Sequence, residues 1–114
     1  MILSAILLFG LAVAFGLSLI VLGVRYHRGS PALGLSHAGI ASLALSLLVI
    51  QIFRDHTRLL YNDAALLFFL ALAGGIVLLA VREGRKPPPM VVVGMHAAMA
   101  LVAFFLLVKG YALG

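Results

Sequence analysis

Charged residues divide the chain into four apolar runs: Met1 to Val24, Gly29 to Phe53, Ala64 to Val81, and Pro87 to Val108. None of these runs contains Asp, Glu, Lys or Arg, and each is 18 to 25 residues long. As helices they extend roughly 27 to 37 Å, enough to cross a hydrocarbon core of about 30 Å. The pattern predicts an all-α protein of one domain. It is a four-helix transmembrane bundle, with helices over about 2–25, 31–54, 61–82 and 88–110. The first run contains Ala12-Val13-Ala14, which resembles a signal cleavage site, but it has no basic segment before it and is too long for a signal core. It is read as a permanent helix.

Local signals place the helix ends. Pro31 and the Pro87-Pro88-Pro89 run suit a first helical turn, where a missing amide donor costs little. The Asn62-Asp63 pair is expected to cap the third helix at its N-terminus. Val24-Arg25 and Val81-Arg82 end the first and third helices alike.

Composition agrees with this class. Of the 114 residues, 65% are hydrophobic and 10% charged, and the mean hydropathy is +1.27. That leaves too little polar surface for a soluble globule of this size. The chain has no cysteine, which excludes disulfides, iron–sulfur clusters and covalently attached haem.

The net charge of +5 reads as orientation and lipid contact, not nucleic-acid binding, because the basic residues sit at helix ends in short connections. Arg25, Arg28, Arg82, Arg85 and Lys86 flank the first and third connections, against Arg54, Arg58 and Lys109 on the other side. The bias predicts both basic turns in the cytoplasm and both termini outside. The expected location is integral to a membrane, a bacterial inner membrane by this orientation.

A repeat then singles out two residues. The segment HAGIASLALSLLV from His37 recurs as HAAMALVAFFLLV from His96, identical at seven positions. Together with the matched helix ends, it predicts two duplicated helical hairpins related by an axis along the membrane normal. His37 follows Pro31 by six residues and His96 follows Pro89 by seven, placing both about 9 to 11 Å inside their helix starts. Gly16 precedes Arg25 by nine residues, and Gly74 and Gly75 precede Arg82 by eight and seven, a depth of about 10 to 14 Å from the same end. Ionisable groups at such depth are functional candidates by default, given their cost in hydrocarbon.

Two imidazoles on facing helices, with glycines on the other two, suit a b-type haem. The histidines would supply both axial ligands, and the macrocycle needs space free of side chains where neighbouring helices pass. Arg25, Arg28, Arg82 and Arg85 are placed to pair with propionates through their planar forks. Each ligating histidine also needs a partner for its second nitrogen, for which Ser36, Ser42 or a helix carbonyl are candidates.

On His37, His96, Gly16, Gly74 and Gly75, the chain resembles the small bis-histidine b-type cytochromes built on four-helix membrane bundles. It is distantly similar to the haem-binding bundle of the cytochrome b subunit of quinol-oxidising complexes. The resemblance implies one haem b with His37 and His96 as metal ligands, and an electron-carrying role. Those families usually carry four histidines for two haems. Here His27 and His56 fall in connections, so a single haem is implied.

Other chemistry has fewer residues behind it. A quinone is a second candidate cofactor, with an imidazole and a serine for its carbonyls and Phe53, Phe68, Phe69, Phe104 and Phe105 as aromatic walls. Met95 and Met99 bracket His96, a thioether and imidazole combination that copper(I) accepts. No nucleophile with a base and no phosphate loop can be assembled, so an electron-transfer or accessory subunit is expected in place of a free-standing enzyme. The alternative is an accessory membrane subunit whose histidines hydrogen-bond neighbouring helices. Expected partners are the bilayer and either larger membrane subunits or a second copy of the chain.

Overall fold

The computed structural model describes residues 2–25, 31–54, 59–83 and 89–113. They form four α-helices: α1 (Ile2–Arg25), α2 (Pro31–Arg54), α3 (Leu59–Glu83) and α4 (Met90–Leu113). All four are long and apolar enough to cross a membrane, and the body measures 44 × 20 × 19 Å. An integral membrane location follows, because a helical segment satisfies its own backbone groups in lipid. Large apolar side chains point outward along all four helices, among them Leu7, Leu35, Phe53, Leu66, Val91 and Phe105.

Helix ends follow local chemistry, with one departure from expectation. Pro31 opens α2, and Pro89 precedes α4, where its carbonyl accepts the Val93 amide at 3.1 Å. Arg25 and Arg54 lie in the last turns of α1 and α2, where a cation meets the negative end of the helix dipole. The third helix begins at Leu59, earlier than Asn62-Asp63. Neither of those residues caps it; both lie inside the helix, which extends outward because Leu59, Leu60 and Tyr61 continue the apolar run.

The backbone of each helix neighbours two others: α1 lies beside α2 and α4, and α3 beside α2 and α4. The pairs α1/α3 and α2/α4 therefore lie across the diagonals of the bundle. A constant offset of 59 positions relates the hairpins: Ala5 matches Ala64, Phe9 Phe68, Ala12 Ala71, Ala44 Ala103 and Leu48 Leu107. Every one of these residues is buried. The core is thus built from equivalent positions about a pseudo-two-fold axis.

Burial is uneven along that axis. The buried apolar side chains run from Ile2 to Ala12 on α1, Ala44 to Leu48 on α2, Tyr61 to Ala71 on α3 and Ala103 to Leu107 on α4. All lie toward the end of the bundle that carries the described termini. Toward the opposite end, where α1 meets α2 and α3 meets α4 in sequence, Gly34 is buried. No described hydrophobic side chain there is. The bundle is closed at one end and looser at the other.

Candidate functional site

His37 and His96 lie at the boundary between these two zones. They project from α2 and α4 across a diagonal, with ring centroids 6.1 Å apart and planes at 80°. Both side chains are partly buried.

Each ring is held by the other helix of its own hairpin. His37 Nδ1 lies 2.7 Å from the Ala12 carbonyl oxygen on α1. His96 Nδ1 lies 2.6 Å from the Ala71 carbonyl oxygen on α3. A carbonyl oxygen only accepts, so Nδ1–H donates in both cases. In the neutral ring this leaves Nε2 with its lone pair. Neither Nε2 makes a hydrogen bond to a described residue. No sealed side-chain nitrogen or oxygen among the described residues lacks a partner, so neither Nε2 is completely enclosed.

The sequence left three candidates for the second nitrogen, and the partner is a helix carbonyl. Ser36 and Ser42 point outward. The carbonyl of Ser42 instead receives the Ser46 hydroxyl at 2.9 Å, which settles that hydroxyl within its own helix.

The three glycines lie beside the rings in unequal ways. A Cβ at Gly16 would stand 3.0 Å from His37 Cε1, and one at Gly75 would stand 3.2 Å from His96 Cε1. At Gly74 it would meet His96 Cβ at 3.6 Å, an ordinary contact. Gly16 and Gly75 are equivalents under the 59-position offset, whereas Gly74 matches Phe15. The side-chain-free spaces at Gly16 and Gly75 are filled by the imidazoles.

Above the imidazoles, the rings of Phe9 and Phe68 stack across the other diagonal, centroids 3.7 Å apart and planes within 1°. Among the five phenylalanines considered as quinone walls, Phe53, Phe69 and Phe105 are exposed; Phe68 is buried and Phe104 packs against the core. Met95 also points outward, 58% exposed. No group of three or more His, Asp or Glu that could hold a metal ion occurs among the described residues.

Of the four arginines placed at the basic turns, Arg25 ends α1 and is exposed. Arg82 lies in α3. Arg28 and Arg85, with His27 and His56, lie outside the described residues.

The sequence did not single out Ala12 or Ala71 as partners of the histidines, nor Phe9, and it named Phe68 only as an aromatic wall. The signal that finds them is the 59-position offset carried from the histidine segments into α1 and α3, where Ala-x-x-x-Gly recurs at Ala12–Gly16 and Ala71–Gly75. Compared with protein families, with curated proteins and with solved structures, the chain returns no match in any of the three.

Proposed function

We propose that the chain is an integral membrane b-type haem protein that carries electrons, with one haem held between His37 and His96. The observation that supports this most is the imidazole pair itself. Two rings from facing helices, each tied through Nδ1 to a backbone carbonyl and each with no bond from Nε2 to a described residue, are the donors that a bis-imidazole metal would need. Metal–nitrogen bonds of about 2 Å, with each ring centre roughly 1 Å behind its nitrogen, give centroids about 6 Å apart. The separation here is 6.1 Å. Carbonyl partners on the second nitrogen are the outer-shell arrangement of metal-bound histidine.

Few described side chains are buried in the looser zone beside the rings, so a flat guest would displace less packing there than in the closed zone. Bound there, haem would supply a one-electron iron couple in a site of low polarity. Arg25, Arg28, Arg82 and Arg85 belong to the same end of the sequence's hairpins and are suited to its propionates. By the excess of basic residues, that end is cytoplasmic and the termini lie outside. A chain with so little polar surface suits a small subunit of a larger respiratory or photosynthetic assembly. A quinone is a weaker occupant, since three of the five candidate aromatic walls face outward.

The competing reading is an accessory subunit without a cofactor. The observation in its favour is that each Nδ1 already joins two helices, which is sufficient reason for a histidine in a membrane bundle. Absorption of the full chain purified from haem-replete cells separates the two. The haem reading expects a Soret band with sharp α and β bands on reduction, the sharp bands being lost in His37→Ala and in His96→Ala. Colourless protein from such cells would contradict it.

A further inference from the structure

The two hydrogen bonds that hold the histidines share a device. In an α-helix the carbonyl of one residue accepts the amide four positions on, and the side chain at that later position leans back over the preceding turn. That side chain normally covers the second lone pair of the carbonyl. The residues four positions after Ala12 and Ala71 are Gly16 and Gly75. Both carbonyls that receive an imidazole are therefore uncovered by a glycine. The Cε1 atom beside Nδ1 occupies the vacated place, 3.0 Å from a Cβ position at Gly16 and 3.2 Å at Gly75.

We infer that Ala12–Gly16 and Ala71–Gly75 are a matched pair of positioning cradles that fix His37 and His96 as Nδ1–H tautomers, so that both Nε2 lone pairs are formed before a metal arrives. Two independent hairpins carry the same element, with bonds of 2.7 and 2.6 Å. The open carbonyl selects the proton's position because it can accept only from Nδ1–H. The glycine sets the ring's distance, since contacts under about 3 Å are avoided in close packing. Gly74 has no part in this: its missing Cβ faces the backbone side of His96 at 3.6 Å. The purpose assigned to the cradles rests on the reading of His37 and His96 as metal ligands; the tautomer does not.

The test uses the full chain, free of haem and labelled with 15N in its histidines, in lipid bicelles. Nitrogen shifts of His37 and His96 are expected to report protonated Nδ1 and unprotonated Nε2. Gly16→Ala is expected to abolish this signature at His37 and leave His96 unchanged, and Gly75→Ala to do the reverse. Gly74→Ala and Gly23→Ala, where an added Cβ meets ordinary contact or nothing within 4 Å, are expected to preserve both. The unaltered half of each variant reports that the bundle has folded. If a cradle variant fails to fold, the unsubstituted chain decides alone. Nε2–H rings or a tautomer mixture in the unsubstituted chain would overturn the inference, as would an unchanged His37 signature in folded Gly16→Ala. Nδ1–H rings in a chain that takes up no haem would leave the cradles standing and remove the haem reading.

Discussion

Phe9 and Phe68, 59 positions apart, stack face to face across the bundle with ring centroids 3.7 Å apart. The quadrupoles of two aromatic rings disfavour a direct sandwich. The pair is therefore held by burial, at 3% and 6% exposure, and by the pseudo-symmetry that brings equivalent positions to one axis. It marks the boundary of the closed zone, about one helical turn from the Ala12 and Ala71 carbonyls that receive the imidazoles.

Coupling between these rings is measurable. In a double-mutant cycle of Phe9→Leu and Phe68→Leu, followed by reversible unfolding in mixed micelles, the two changes are expected to be non-additive by about 0.5 to 3 kcal/mol, as for residues in contact. Additive effects would mean that the rings act separately.

The terminal end of the bundle should be sensitive to added volume without affecting the imidazoles. A Cβ at Gly110 would stand 3.0 Å from Tyr61 Cε1 and 3.2 Å from Leu60 Cβ, so Gly110→Ala overpacks a buried contact at a cost of about 1 to 3 kcal/mol. Gly110 follows His96 by fourteen residues, a rise of roughly 21 Å. The variant is expected to unfold at lower denaturant while the histidine nitrogen signals of its folded form stay in place. At Gly39 and Gly94 nothing lies within 4 Å of an added Cβ, and alanine there is expected to leave the unfolding midpoint unchanged or raised.

On the haem reading, depth should make electron exchange one-sided. His37 is six residues from the start of α2 and seventeen from its end at Arg54, or about 9 Å against 26 Å along the helix. The longer path also passes through the closed zone. In vesicles of uniform orientation, a membrane-impermeant reductant is expected to reduce the haem only when the basic turns face it. Equal reduction rates from both sides would contradict this placement.

Each axial position should be separately removable. On the haem reading, the ring left in His37→Ala would supply one ligand, and bound haem is expected to turn from low-spin to high-spin. Added imidazole is expected to reverse the change, because it replaces the lost nitrogen in the space the ring vacates. A low-spin spectrum that persists in His37→Ala without imidazole would assign the ligand elsewhere.

The helices and the histidine pair were legible in the sequence for the same reason. Uncharged runs of membrane length are rare in soluble chains, and a titratable residue within such a run stands out against its neighbours. The partners of the histidines were harder to see. Ala12, Ala71, Gly16 and Gly75 are residue types common in any membrane helix, so their recurrence carries little weight until a contact selects it. Depth alone could not separate Gly75 from Gly74, which differ by one residue but face different sides of His96. Asn62-Asp63 has the composition of a cap, yet capping is a local preference. In α3 it is overridden by the apolar residues from Leu59, with Tyr61 buried at 3%.

The central claim is that one metal centre bridges His37 and His96. Titration of the haem-free chain with ferric haem, followed by absorption, tests it most directly. The account predicts saturation at one haem per chain with a six-coordinate low-spin spectrum, and neither His37→Ala nor His96→Ala reaching that spectrum. Binding without saturation, or a low-spin spectrum retained in both variants, would contradict it.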